Sequence, residues 1–402
     1  MNPADMIFFW ARATPDHLAV IEPQMTIAYR AFAGAIESIA ARLAQLIPAG
    51  NGTAAVAIDH PAKLLAVCAA LLRSGIAAAP VGEEALSHLE GNDIRWIISS
   101  DDAPMLGGAR TIRFDDGWLS GSSSVAPGLT AERTKAPTDT DLIFFVRGST
   151  GVVKKMIMPA ASLMDCANQL PITRHANFDR TLILPSLATP YGFMRALMQL
   201  YAGKTVCFAP GTKACLRLIG THCVETVVAS TQQALGLVEE VENGARHLLG
   251  SLKEIRIGRD VLSRDLARRI QSRLCRQVIT EYGATEAGLI ALANYDMIAD
   301  VPNAVGFVLP DVDLEIVDET NAVVPLGEEG LVRCRTSYFA RVIAANNPDR
   351  AQDAADTWCY SGDLGRLTPD GMLCIDGRAD DAMLSGVAGE EVAQGSRPIG
   401  LA

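Results

Sequence analysis

The run Gly148-Ser149-Thr150-Gly151, closed by Lys154 and Lys155, combines a backbone able to approach a polyphosphate, two hydroxyl donors and positive charge. It follows the apolar segment Leu142–Val146, which reads as a buried strand. The Gly-x4-Gly-Lys-Ser/Thr spacing of a Walker loop is absent, as is Gly-x-Gly-x-x-Gly, and the same residues also suit an ordinary turn. Further on, Tyr282-Gly283-Ala284-Thr285-Glu286 leaves a predicted strand at its carboxyl end, where ligands of α/β sheets collect. There Thr285 can donate to a phosphate and Glu286 can hold a magnesium ion; a glycine turn into a helix, with Glu286 complementing the dipole, explains the same residues. In Ser361-Gly362-Asp363 a carboxylate can accept both hydroxyls of a ribose or satisfy its own turn. Gly377-Arg378-Ala379-Asp380-Asp381 follows the hairpin turn Pro369-Asp370-Gly371.

Whatever these groups do, composition limits their partners. A chain of 402 residues that is 49% hydrophobic can bury a large core. The net charge of −11 leaves no basic stripe for nucleic acid, though it permits a bound nucleotide. No signal-peptide layout and no membrane-spanning apolar run is present, so a cytoplasmic location is expected. Nine cysteines without a Cys-x-x-Cys pair read as reduced, buried hydrophobes, and the adjacent His222 and Cys223 lack the spacing of a closed zinc site.

The elements that must position the candidate groups follow from periodicity. Asp5–Ala13 is helix-like, Leu18–Ile21 and Thr26–Tyr29 form a hairpin, and Phe32, Ile36, Ile39, Leu43 and Ile47 recur at helical spacing. Strand Ala54–Ile58, helix Pro61–Ser74 and strand Ile76–Val81 make a βαβ unit. Arg95–Ser99 and Thr111–Phe114 add strands, and the polar stretch Ser120–Asp139 reads as a surface linker. After the loop, helix Ser162–Leu170 leads into strands at Leu182–Pro185, Lys204–Ala209, Glu225–Ala229 and Leu252–Ile257, alternating with helices Gly192–Tyr201, Lys213–Thr221 and Gln232–Glu242. Ser263 caps one more helix before strand Val278–Thr280. Beyond Pro302, Val312–Val317 and Leu331–Arg335 alternate in the antiparallel manner. The expected fold class is α/β: two doubly wound, mainly parallel sheets with helices plus a small antiparallel β subdomain. Its units are 1–140, 141–301 with the phosphate loop, and 302–377.

Taken together, Gly-Ser-Thr-Gly-x-x-Lys, Tyr-Gly-x-Thr-Glu, Ser-Gly-Asp and Gly-Arg-x-Asp-Asp, in that order, resemble the AMP-forming acyl-CoA synthetase family of the adenylate-forming (AMP-binding) superfamily. The resemblance runs from about Pro3 to Gly386. It implies a ligase that activates a carboxylic acid with MgATP to an acyl-adenylate and pyrophosphate, then transfers the acyl group to a thiol such as coenzyme A. By resemblance Ser149, Thr150, Gly151 and Lys154 hold the β- and γ-phosphates, Thr285 the α-phosphate and Glu286 the Mg²⁺. Tyr282 and Gly283 lie at the nucleotide with Tyr282 near adenine, while Asp363 grips the ribose, Arg378 reaches it, and Asp380 marks a hinge.

The chain also departs from the family pattern. Val146-Arg147 stands where a Thr-Ser pair is usual, Val153 replaces a proline, no histidine occurs in Leu184–Gly192, and Leu384 replaces a common basic residue. The family continues past the hinge into a small domain with a catalytic lysine, so 378–402 reads as a hinge and truncated stub, with slow adenylation and almost no thioester formation. The alternative is a catalytically impaired nucleotide- or acyl-binding protein, or a split-enzyme fragment. Because Leu187–Leu200 contains no acid, an acyl or aryl acid is favoured over an amino acid. Arg195 is read as a surface helix residue, with the second carboxylate of a diacid as its alternative partner, and Leu197, Met198 and Leu200 as core.

Overall fold

The computed structural model describes residues 3–48, 52–82, 86, 89, 93–100, 108–119, 140–147, 153–159, 178–244, 249–284, 287–336, 341–344 and 358–379, with backbone alone at 147, 153, 154 and 341–344. In chain order the strands are β1 (Leu18–Glu22), β2 (Met25–Ala28), β3 (Thr53–Ala57), β4 (Ala77–Pro80), β5 (Ile94–Ser99), β6 (Arg110–Arg113), β7 (Asp141–Arg147), β8 (Val153–Pro159), β9 (Arg180–Ile183), β10 (Thr205–Cys207), β11 (Thr226–Ser230), β12 (Glu254–Gly258), β13 (Gln277–Ala284), β14 (Gly288–Asn294), β15 (Ala304–Val308), β16 (Val312–Val317), β17 (Gly330–Thr336), β18 (Arg341–Ala344), β19 (Cys359–Leu367) and β20 (Met372–Arg378). The helices are α1 (Pro3–Ala13), α2 (Tyr29–Leu46), α3 (Pro61–Arg73), α4 (Pro190–Tyr201), α5 (Gly211–His222), α6 (Thr231–Glu242), α7 (Arg264–Arg273) and the single turn α8 (Tyr295–Ile298).

The strands form two sheets. One is ordered β18-β8-β7-β4-β3-β5-β6 and is parallel from β7 to β6. The other runs β16-β17-β19-β20-β15-β14-β13-β12-β11-β9-β10-β1-β2, parallel between β13 and β1 and antiparallel beyond. This is the expected α/β class, each sheet having a parallel portion flanked by helices, with the antiparallel β region continuing the larger sheet.

Alternation along each strand explains the layering, because successive side chains leave a sheet on opposite faces. In the thirteen-stranded sheet Val20, Ile183, Val206 and Val228 join the core around α1–α4, while Ile21, Leu182, Cys207 and Val227 join the core beneath α5–α7. In the seven-stranded sheet Ala54 and Val56 enter the first of these cores, and Ala55 and Ala57 face the other way. Helices α1–α4 therefore lie between the two sheets. Strands buried on both faces read as unbroken apolar runs, as Ala54–Ala57 of β3 does.

Local chemistry starts the helices. Ser230 and Gln233 form a reciprocal capping box on α6, and Ser263 accepts from Leu266 N at 3.3 Å to cap α7. Thr189 caps α4, with Pro190 at its first position. Gly192 lets that helix begin hard against the preceding loop, since a Cβ there would stand 2.3 Å from the Ser186 carbonyl oxygen.

The sheets do not divide where the expected units do. Hairpin β1–β2 belongs to the larger sheet through β10, while β7 and β8 join the seven-stranded sheet through β4. The antiparallel region begins at β14 rather than after Pro302, and β18 crosses back to pair with β8. Pairing partners distant in sequence decide sheet membership, and periodicity carries no information about them. The linker 120–139 and the helix expected at 162–170 lie outside the described residues.

Candidate active site

Tyr282, Asp363 and Arg378 come from three strands and meet. Asp363 and Arg378 are directly opposite in the β19–β20 register, and Arg378 Nη1 donates to Asp363 Oδ1 at 2.8 Å and to the Ser361 carbonyl at 2.9 Å. From β13, the Tyr282 hydroxyl donates to Asp363 Oδ2 at 2.6 Å. Gly362 supports the turn twice over: its φ is +76°, and a Cβ there would stand 2.9 Å from Arg378 Nη2. Burial, then the Asp363 charge, pushes the Tyr282 phenol well above its usual value, so it stays a donor. Asp363 is 15% and Arg378 45% exposed at the side chain, leaving one edge open to a ligand.

On the other side of the same stretch of β13 lies a cavity of about 400 Å³. Its walls come from β7 (Phe145, Val146), β8 (Met158), the loop and first turns of α4, Arg259 after β12, and the β13–β14 hairpin. A register shift between Tyr282 and Gly283 marks a bulge, and Gly283 is confined there because a Cβ would stand 2.2 Å from the Gly288 carbonyl oxygen. Helical spacing places Tyr191, Met194, Arg195 and Met198 on the α4 face that lines the cavity.

Beneath this face is a buried charge network. Glu281 Oε2 accepts from Tyr191 OH at 2.9 Å and from Arg195 Nη2, and its Oε1 accepts from Arg256 Nη1 at 3.0 Å. Arg256 also donates from Nε to Glu254 Oε1 at 2.5 Å. Alternation explains the placement: Ile255 and Ile257 of β12 face the core under α5–α7, so Glu254 and Arg256 take the opposite face. Gly258 ends β12 beside Glu281, and its missing side chain makes room for the Tyr191 ring, whose Cζ would lie 2.7 Å from a Cβ. Burial acts to raise the Glu281 carboxyl, but Arg195 and Arg256 with the Tyr191 and Arg256 hydrogen bonds outweigh it and hold the group below its ordinary value. Burial, reinforced by Glu281, raises the Tyr191 phenol.

One expectation is corrected here and two are supplemented. Arg195 is no surface residue: its side chain is 11% exposed and paired with Glu281. Met198 lines the cavity as well as packing in the core. An acid does reach the pocket region, as Glu281 from β13 rather than from Leu187–Leu200. Arg256, Glu281 and Arg259 go unmarked in the sequence reading, and Tyr191 falls within the segment Leu184–Gly192 without a role of its own. One signal existed: Glu254, Arg256 and Glu281 are charges inside otherwise apolar strands, and buried charges require partners.

Of the other candidates, Lys154 lies on β8 opposite Val146 of β7, and the two strands pair antiparallel. Ser149, Thr150, Gly151, Thr285, Glu286 and Asp380 lie outside the described residues. The chain past Ala284 returns as β14, antiparallel to β13, and not as the helix that would have set Glu286 at its first turn. Glu281, one residue before Tyr282, has both oxygens engaged by arginines and tyrosine and is not available to a metal ion.

Solved structures share this fold. The chain matches the o-succinylbenzoate coenzyme A synthetase of Bacillus subtilis, in complex with AMP, with a TM-score of 0.79 at 20% identity, over 94% of this chain and 79% of that one. The N-terminal subdomain of Klebsiella oxytoca NpsA, in complex with 3-hydroxybenzoyl-AMSN, matches with a TM-score of 0.77 at 19% identity, over 94% of this chain and 100% of that one. The fold is that of the large domain of adenylate-forming enzymes. Residues 7–342 match the family described as AMP-binding enzyme, and the chain belongs to it. Among its relatives, pseudomonine synthase PmsE of Pseudomonas entomophila is 28% identical over 95% of this chain and 68% of that protein. Enterobactin synthase component E of Escherichia coli is 26% identical over 94% and 77%.

Proposed function

We propose that the protein activates a small carboxylic acid with MgATP, forming an acyl-adenylate and pyrophosphate, and passes the acyl group to a thiol such as coenzyme A or a carrier-bound thiol. The observation that carries this reading is that one strand, β13, has the Tyr282–Asp363–Arg378 cluster on one side and a cavity sized for a small acid on the other. A nucleoside fits the cluster's chemistry: the carboxylate of Asp363 accepts ribose hydroxyls, Arg378 adds a donor, and the Tyr282 ring offers a face to adenine. Gly283 keeps the backbone between the two sites bare of side chain. Ser149, Thr150, Gly151 and Lys154 bind the β- and γ-phosphates in this reading, and Thr285 donates to the α-phosphate. Glu286 is the proposed Mg²⁺ ligand, and the ion when bound offsets phosphate charge. Asp380 is the proposed hinge.

The acid is an acyl or aryl acid, since the only carboxylate lining the cavity among the described residues is Glu281, already shared between Arg195 and Arg256 and therefore a poor partner for an amino group. A cytoplasmic location belongs to the same reading; no described helix is long and apolar enough to cross a membrane.

The test is acid-dependent exchange of labelled pyrophosphate into ATP across short, long and aromatic acids, with Lys154→Ala and Asp363→Ala as controls. Exchange with one acid class, lost in both controls, is the expected result. Intact ATP binding with no exchange for any acid would favour a nucleotide- and acyl-binding protein instead.

A further inference from the structure

We propose that Tyr191, Arg195 and Glu281 select an acid whose far end carries an uncharged hydroxyl or carbonyl, rejecting both a second carboxylate and a plain alkyl end. The inference rests on the adenylation reading above and names the substrate class of its cavity.

Charge balance is the first argument. Arg195 and Arg256 face Glu281 and Glu254 in one contiguous buried network, so positive and negative charges cancel. Beside Tyr191 and Arg195 a second carboxylate would add an anion to a pair already neutralised, and a buried charge without its own partner is strongly disfavoured, while Arg259, the other cation lining the cavity, is exposed and its charge is screened by solvent. An ammonium group meets the converse problem, because the Glu281 charge it needs is held by two guanidinium groups.

Hydrogen-bond valence is the second. The Tyr191 hydroxyl has one hydrogen and gives it to Glu281, so toward the cavity it can only accept. Arg195 has five N–H groups, of which one has a hydrogen-bond partner among the described residues. The cavity therefore offers a donor and an acceptor side by side on α4, one helical turn apart, amid apolar walls such as Met194, Met198 and Leu289. A hydroxyl satisfies both, a carbonyl satisfies the donor, and an alkyl end satisfies neither. Sites built to hydrogen-bond a substrate group discriminate strongly against analogues that lack it.

The experiment titrates the protein by calorimetry with positional isomers of hydroxybenzoyl-, methylbenzoyl- and carboxybenzoyl-sulfamoyladenosine, with AMP alone in parallel. At least one hydroxyl isomer is expected to bind about tenfold or more tightly than its methyl and carboxyl counterparts. In Tyr191→Phe and in Arg195→Met that preference over methyl should shrink to about threefold or less, with affinity for the methyl analogue retained. Tyr191→Phe removes a single oxygen, so it keeps the test valid if Arg195→Met fails to fold. Equal affinities for the three substituents, tightest binding of the carboxyl series, or a preference unchanged in both variants overturns the selectivity while AMP binding leaves the adenylation reading standing. No binding of AMP or of any analogue overturns both.

Discussion

Tyr282 and Asp363 lie 81 positions apart in the chain, yet the phenol of one donates to the carboxylate of the other at 2.6 Å. Arg378 occupies the second oxygen of Asp363 at 2.8 Å, so the carboxylate is oriented from two sides before any ligand arrives. A group held in this way loses little further freedom on binding, which favours affinity.

Replacing Asp363 with Asn removes the charge while leaving the shape. AMP affinity is expected to fall about tenfold or more, because charge-assisted hydrogen bonds are roughly twice as strong as neutral ones. Tyr282→Phe should have the smaller effect on affinity and destabilise the fold by about 1 kcal/mol through the lost hydrogen bond. Calorimetry with AMP and urea denaturation measure the two effects separately.

The Glu281 network predicts a pH dependence. The folded carboxyl lies below its ordinary value of 4.5, so on acidification the unfolded chain takes up its proton first. The stability from this group is thus complete above about pH 4.5 and is lost as pH falls through the lower folded value. Glu281→Gln should cost about 3 kcal/mol at pH 7, since it leaves Arg195 and Arg256 buried with weaker partners. The gap between wild type and variant, followed by urea denaturation from pH 7 downward, should close only in the acid range; a gap independent of pH would contradict the assignment.

Gly258→Ala tests how the cavity is built. The added methyl would lie 2.7 Å from Cζ and the hydroxyl oxygen of Tyr191, so the ring must shift off Glu281 and into the cavity. Overpacking of this kind destabilises by about 1–3 kcal/mol. Affinity for an acyl-adenylate analogue should fall sharply while AMP affinity, set on the other side of β13, stays near wild type.

Arg259 is an exposed, non-glycine residue with φ +82° at the cavity wall. A long side chain in the left-handed region carries strain of about 1 kcal/mol. Arg259→Gly is therefore expected to raise stability by about that amount, read as a higher urea midpoint with an unchanged slope. A loss of stability would mean that the side chain makes contacts worth more than the strain.

Local patterns were legible in the sequence wherever their cause is local. Phe32, Ile36, Ile39 and Leu43 recur at helical spacing and are all buried on α2; Pro61 starts α3 and Ser263 caps α7, as their chemistry requires. Tyr282, Asp363 and Arg378 stand out in separate motifs, and the structure brings both Tyr282 and Arg378 within hydrogen-bond distance of Asp363. Arg195 could not be read in the same way. From the sequence it is an arginine on an amphipathic helix; its burial depends on Glu281, 86 positions later on a neighbouring strand.

Periodicity, capping and turn chemistry act over a few residues, so the α/β class, helices α1–α7, most strands and the motifs that mark the family are legible in the chain alone, whereas β8, β14 and β15 are not. Packing alone sets β7 and β8 in the smaller sheet, away from the segments that follow them, and β1 and β2 in the larger one. It alone decided that the cavity floor is a neutral network of paired charges. Both are matters of which distant groups come to lie side by side. Strand pairing and the neutralisation of buried charge are satisfied between elements, and the partners are chosen when the sheets and helices pack.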